Sequence, residues 1–293
     1  MPEGLQPDSA QNSPADIRPA TFAWQPLTPR GVAAFARTTL GRLLLVEFVV
    51  ALVVTGTVVW FVMVAWFPTV RAAIRRLPEQ GVIRKGELNS PRTAPEPLAE
   101  GRFLSLVLAT DHSSASFRAD VSVVFHKTHC RICSVFGCLV FDYPKDRTVQ
   151  FNRPELIPWW GAWEPILLGV IAISTLAGLM LSWALLATLY FPFVRLLAFF
   201  KDRDLDWGGS WRVASAALIP GALLLALAIF LYGVAVLDLV HLLVLAVTHL
   251  VMGWIYLIVS PLTLPRLVTV VPPSANPFST SPAEEKGDVK PDP

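Results

Sequence analysis

Long apolar segments, separated by charged or proline-rich stretches, dominate the chain. The first segment, residues 43–67, has 25 residues and one formal charge, Glu47. The second, residues 166–191, has 26 residues and no charge. As helices that rise 1.5 Å per residue, both exceed the roughly 30 Å of bilayer hydrocarbon. Each is therefore predicted to span a membrane, the first ending at Pro68 and the second at Pro192.

A third apolar region, residues 213–265, carries one formal charge, Asp238, in 53 residues. That length requires two spanning helices, and Gly233 and Asp238 mark the predicted turn between them. Residues 193–200 are apolar but too short to cross a bilayer, so they predict an interfacial helix that leads into a charged loop. The pattern predicts four transmembrane helices in all.

The region between the first two spans follows a different pattern. Residues 68–100 predict a short basic helix and a proline-rich connector. Residues 101–151 alternate between apolar and polar positions, which is typical of strands, with candidates at 103–108, 117–125 and 135–143. A small antiparallel sheet is the simplest interpretation.

The predicted fold class is mainly α: a four-helix membrane bundle with a small β-rich extracytoplasmic domain inserted between helices 1 and 2. The expected organisation is a disordered N-terminal tail (1–29), an amphipathic lead-in with transmembrane helix 1 (30–67), the β-rich domain (68–160), transmembrane helix 2 (161–192), an interfacial helix and cytoplasmic loop (193–212), transmembrane helices 3 and 4 (213–265), and a disordered C-terminal tail (266–293).

Composition supports a lipid environment. Hydrophobic residues make up 54% of the chain and charged residues 16%, with a mean hydropathy of +0.54. A net charge of +2, spread along the chain, argues against a nucleic-acid partner. The expected partners are the lipid bilayer and another membrane or envelope protein. No cleavable signal peptide is evident, and the arginines beside the spans favour an orientation with both termini in the cytoplasm.

Five potential metal or thiol ligands lie within thirteen residues of the middle region: His126, His129, Cys130, Cys133 and Cys138. Such side chains bind zinc, and two cysteines separated by two residues can also form a redox pair. The favoured interpretation is a structural disulfide between Cys138 and either Cys133 or Cys130, with one thiol left over. Zinc binding and thiol chemistry remain open alternatives.

The last predicted span carries a second polar group. Asp238, His241, His249 and Tyr256 fall on one face of a helix at 100° per residue. Ionisable groups within a span often serve transport or ligand binding. The alternative is that Asp238 and His241 meet water at the hairpin turn, which would leave His249 buried and hydrogen-bonded.

No catalytic motif is present in the sequence: it lacks a phosphate-binding glycine loop, a nucleophile elbow and a zinc-protease helix. The leading hypothesis is a non-catalytic accessory or scaffold protein with an extracytoplasmic recognition domain. A transporter or ligand-conducting bundle and a thiol or metal sensor are the alternatives.

Two segments resemble a known protein family. These are residues 27–37 before the first span, LTPRGVAAFAR, and residues 74–88 after it, IRRLPEQGVIRKGEL. They resemble a family of uncharacterised bacterial integral membrane proteins, some labelled maltodextrin-utilisation proteins. The resemblance implies an amphipathic lead-in, a small extracytoplasmic domain and further helices clustered toward the C-terminus. It implies no catalytic residues, and the Cys and His cluster departs from the family pattern.

Overall fold

A computed structural model describes residues 25–91, 96–109 and 119–267. Within these ranges, four helical stretches are long and apolar enough to span a membrane: Leu40–Arg76, Arg153–Phe200, Trp207–Gly233 and Leu239–Leu262. A small β region lies between the first and the second, so the predicted architecture is confirmed at this level. The predicted tails fall mostly outside the described residues, at 1–24 and 268–293.

The helices are α1 (Pro29–Ala34), α2 (Leu40–Phe61), α3 (Phe67–Arg76), α4 (Arg153–Phe200), α5 (Trp207–Ala216), α6 (Ile219–Gly233) and α7 (Leu239–Leu262). The strands are β1 (Val82–Arg84), β2 (Glu87–Asn89), β3 (Glu96–Glu100), β4 (Leu104–Leu108), β5 (Val121–Phe125), β6 (His129–Ser134), β7 (Gly137–Asp142) and β8 (Val149–Gln150).

The first spanning helix does not end at Pro68, and that prediction was wrong. Helix α2 passes through one π turn, Val62–Trp66, directly into α3. In this wide turn the N–H of Phe67 donates to the carbonyl of Val62. Because Pro68 then lies in the first turn of α3, where its missing N–H costs little, the helix continues past it.

The predicted end of the second helix at Pro192, and the separate interfacial helix after it, were also wrong. Helix α4 runs without a break to Phe200, with Pro192 in its interior. Val194 and Ala198, beyond the proline, are fully buried in the bundle core, and this packing outweighs the lost backbone hydrogen bond. At 48 residues α4 is about 70 Å long.

The hairpin turn predicted at Gly233 and Asp238 is confirmed. Helix α6 ends at Gly233, and Asp238 caps α7, its side chain accepting a hydrogen bond of 2.8 Å from the backbone N–H of His241. Helices α6 and α7 cross closely, since a Cβ atom at Gly221 would lie 2.6 Å from the carbonyl oxygen of His249. Small residues permit such close backbone contacts.

The β region contains a five-stranded sheet in the order β3-β4-β5-β6-β7 and a three-stranded sheet in the order β2-β1-β8. The predicted strands at 103–108, 117–125 and 135–143 correspond to β4, β5 and β7, although 117 and 118 lie outside the described residues. The prediction of a wholly antiparallel sheet was wrong, because β4 and β5 run parallel. The backbone of residues 120 and 121 bonds to that of residues 102 and 103, which aligns the two strand starts.

The five-stranded sheet stands on one end of the bundle. Arg102, just before β4, donates hydrogen bonds of 2.9 and 2.7 Å to the carbonyls of Ala235 and Leu237 in the α6–α7 turn. Asp120, just before β5, accepts one of 2.6 Å from the hydroxyl of Tyr232. The sheet is therefore attached to the tip of the helical hairpin by polar contacts.

The lead-in segment packs beneath the opposite end of the bundle. Val32 and Phe35 are fully buried. The Arg212 guanidinium donates to the carbonyl of Ala36, and the Tyr256 hydroxyl donates to the carbonyl of Leu27 at 2.5 Å. The chain before α2 and the C-terminal end of α7 therefore lie at the same end of the molecule.

The crossing at Gly221 generates a stability prediction. Gly221→Ala should lower the free energy of unfolding by about 1–3 kcal/mol, because the added methyl group meets a backbone carbonyl that cannot move aside. Gly178→Ala in α4 is the matched control, since no atom lies within 4 Å of a Cβ there. Unfolding of both variants in the same detergent measures the difference. Equal destabilisation by the two substitutions would contradict the proposed crossing.

Candidate functional site

The predicted Cys and His cluster lies on the β6–β7 hairpin and the turn before it. Cys133 and Cys138 are directly opposite each other in the strand register, and their sulfur atoms lie 2.00 Å apart, a disulfide distance. Of the two pairings that the sequence allowed, the structure has the one with Cys133. Cys130 is left as a half-buried free thiol.

The surroundings of Cys130 make it a weak nucleophile. Its residue packs against the apolar cluster beneath the sheet, and burial raises the pKa of its thiol. Only the thiolate attacks disulfides or binds metals, so a raised pKa leaves less of the reactive form near neutral pH. Burial also raises the pKa of nearby Tyr143, whose hydroxyl donates to the carbonyl of His126 at 3.0 Å.

The two histidines of the cluster contact each other. The rings of His126, which is buried, and His129 stack with centroids 4.6 Å apart. Across residues 25–91, 96–109 and 119–267, no three His, Cys, Asp or Glu side chains gather into a group that could hold a metal ion. Zinc binding by His126, His129, Cys130, Cys133 and Cys138 therefore stays a prediction, and the two paired sulfurs are already bonded to each other.

Strand β7 forms an exposed apolar edge of the five-stranded sheet. Every residue of the strand is exposed, including Leu139 (65%), Val140 (55%) and Phe141 (51%). Phe136, at the tip of the β6–β7 hairpin, is 80% exposed. Among the described residues, no strand pairs with the outer side of β7. Natural sheets normally cover or charge such an edge, because it readily binds another strand.

The polar residues predicted on one face of α7 lie in three separate places. Asp238 and His241 are exposed at the start of the helix, 2.7 Å apart, and hydrogen bonds from the backbone and ring of His241 lower the pKa of Asp238. His249 lies near the middle, and Tyr256 near the far end binds the lead-in. Asp238 and Tyr256 are separated by 18 positions, or about 27 Å along the helix. They do not form a single site.

His249 instead belongs to a cavity that the sequence did not reveal. The cavity has a volume of about 150 Å³ and lies between α2, α4, α6 and α7. Its walls are mainly apolar, with a few polar or aromatic side chains. These are Ser182, Trp183, Tyr190, His249 and Trp254. Only residues that the fold brings together from four helices form it, so no local sequence signal could have identified it.

Glu47 is a buried ionisable group in the core of the bundle. Its side chain is buried in the core of the bundle at 2% exposure, and the Ser215 hydroxyl donates a hydrogen bond to one of its carboxyl oxygens. Its signal in the sequence was its position as the one formal charge in the first apolar segment. Buried ionisable groups within spanning helices are costly and are commonly functional or paired.

No protein family, curated protein or solved structure matches the chain. The resemblance to uncharacterised bacterial membrane proteins therefore stays a prediction that depends on residues 27–37 and 74–88.

The Glu47 contact can be tested with a double-mutant cycle. Ser215→Ala should lower the free energy of unfolding by about 1–3 kcal/mol, because a buried carboxyl loses its hydrogen-bond donor. In a Glu47→Leu background the same substitution should cost much less, because there is no carboxyl left to satisfy. Ser174→Ala is the control, since the Ser174 hydroxyl is exposed and bonds only within its own helix. A cost for Ser215→Ala that is independent of Glu47 would contradict the pairing.

Proposed function

We propose that the chain is a non-catalytic integral membrane protein that recognises an extended segment of another membrane or envelope protein through strand β7. In this proposal its four helices span a bacterial cytoplasmic membrane with both termini in the cytoplasm, and the β region is extracytoplasmic. The observation that carries the proposal is the apolar edge of β7, with which no strand in residues 25–91, 96–109 and 119–267 pairs on its outer side.

Pairing with an added strand from a partner would cover this edge. An incoming strand would bond to the free backbone groups of β7, while its side chains meet the two apolar faces on which Leu139 and Val140 alternate. The disulfide between Cys133 and Cys138 links β7 covalently to β6 next to the hairpin tip. A preorganised edge loses less conformational entropy when it binds a partner.

The orientation is supported by the charges at the two ends of the bundle. Basic residues cluster at the end where the lead-in and the end of α7 meet: Arg30, Arg37, Arg42, Arg195, Lys201, Arg203, Arg212 and Arg266. Cytoplasmic ends of spanning helices are enriched in Lys and Arg. The basic residues between 71 and 85 lie at the other end, but they belong to a long folded insertion, for which the charge rule has little force.

The two alternative functions have different support. The transporter hypothesis loses its continuous polar face, because Asp238, His249 and Tyr256 lie in three separate places along α7. The cavity at His249 favours ligand binding instead. The sensor hypothesis is disfavoured by burial of Cys130, which raises the pKa of its thiol and so lowers the fraction of thiolate near neutral pH.

Thiol labelling in intact cells tests the sidedness of the β region. A membrane-impermeant maleimide should label Cys133 and Cys138 only after reduction, because their sulfurs are bonded to each other. Cys130 should react slowly without reduction, and faster as the pH rises toward the raised pKa of its thiol, since more thiolate is then present. Mass spectrometry of the labelled peptides reports all three sites. Labelling that requires cell lysis would reverse the proposed orientation.

Site-specific photo-cross-linking in native cells tests recognition by β7. A photoreactive residue at position 139 or 140 should give one discrete adduct with another protein, and Val140→Lys should abolish the adduct formed from position 139. Val140 is 55% exposed, so the substitution should leave protein abundance unchanged. The same photoreactive residue at Phe200, which is 69% exposed at the opposite end, is the control. An adduct only with a second copy of the chain would replace the proposed partner with self-association.

A further inference from the structure

The cavity between α2, α4, α6 and α7 has the volume of a small-ligand site. At about 150 Å³ it is comparable to cavities that hold a single benzene ring. Two large aromatic rings, those of Trp183 on α4 and Trp254 on α7, form part of its wall. Trp254 also packs at 5.1 Å from the ring of Tyr190. A planar aromatic ring would therefore contact aromatic surfaces in this cavity.

Two polar side chains of the cavity, His249 and Ser182, can accept a hydrogen bond from a ligand. The Nδ1 atom of His249 bonds to the carbonyl of Ala246, an acceptor only, so in the neutral ring the proton is on Nδ1. The Nε2 atom on the opposite side of the ring is then an acceptor. The Ser182 hydroxyl donates a hydrogen bond of 2.8 Å to the carbonyl of Leu179, and its oxygen can still accept one from a ligand.

We propose that this cavity binds a lipid-soluble phenol or quinol, whose ring lies among the aromatic walls and whose hydroxyl donates to Nε2 of His249. An acyl chain would fill the space but leave the acceptors unsatisfied, which is unfavourable in an apolar environment. A quinone, which can only accept hydrogen bonds, would also fail to pair with them.

The cavity opens toward the outer surface of the bundle. Leu250 and Trp254 line it and are 58% and 44% exposed. If the bundle spans a bilayer as proposed above, this opening faces the lipid, and a ligand dissolved in the membrane can enter sideways. The site is separate from strand β7 and does not depend on partner recognition there.

A matched pair of ligands tests the proposal on the full-length protein in detergent. Binding of a 4-alkylphenol and of its methyl ether is followed by the fluorescence of the tryptophans. The phenol should bind roughly threefold to tenfold more tightly, the expected contribution of one neutral hydrogen bond. His249→Leu should abolish this preference. His241→Leu, at the exposed histidine of the same helix, should retain it.

A second variant keeps the test decisive if His249→Leu fails to fold. Gly253→Ala adds a methyl group to the cavity wall at an ordinary contact distance of 3.6 Å from Leu218, so folding should be preserved while both ligands bind more weakly. Equal affinity of the native protein for phenol and ether would overturn the proposal. So would a preference that persists without His249.

Discussion

The length of two helices relative to a bilayer determines the arrangement of the rest of the molecule. The stretches Leu40–Arg76 and Arg153–Phe200 have 37 and 48 residues, or about 55 and 70 Å, whereas bilayer hydrocarbon is roughly 30 Å thick. If the bundle spans a bilayer as proposed, residues 67–76 and 153–165 extend beyond the apolar zone at the sheet end as a two-helix stalk. An ion pair of Arg71 with Glu164 and an edge-to-face contact of Phe67 with Trp160 join the two helices there. The sheet packs against α3, so the stalk itself positions the sheet relative to the bundle.

The turn between α6 and α7 connects the sheet to the rest of the bundle. The carbonyl groups of Ala235 and Leu237 lie beyond the end of α6, so they need hydrogen-bond donors from outside that helix. The Arg102 guanidinium donates hydrogen bonds to both carbonyls. Ala235 has a left-handed φ of 63°, a conformation that costs a non-glycine residue about 1 kcal/mol or more. The sheet thus stabilises a strained turn, and the same turn fixes the spacing of α6 and α7 around the cavity. The cavity and the sheet that contains β7 belong to one connected framework.

The sequence predicted features that depend on composition over many residues, and it failed where packing decides. Four apolar stretches, the turn before Asp238 and three strands follow from hydrophobic pattern alone. The predicted helix ends at Pro68 and Pro192 were wrong. A π turn in the first case, and burial of the following residues in the second, offset the effect of proline. Likewise, the choice of Cys133 over Cys130 required the register of β6 and β7, which spacing cannot supply.

Glu47 and His249 show two different ways to place a polar side chain in an apolar bundle. Glu47 is buried and receives a hydrogen bond from Ser215 on a neighbouring helix, so its contact is internal to the protein and serves packing. His249 bonds through Nδ1 to a carbonyl of its own helix, and it lines the cavity. Water could satisfy the Nε2 acceptor only where two or more further polar partners hold it, and the cavity walls are mostly apolar. A molecule that brings both a hydroxyl group and an apolar ring satisfies the acceptor and fills the space at once.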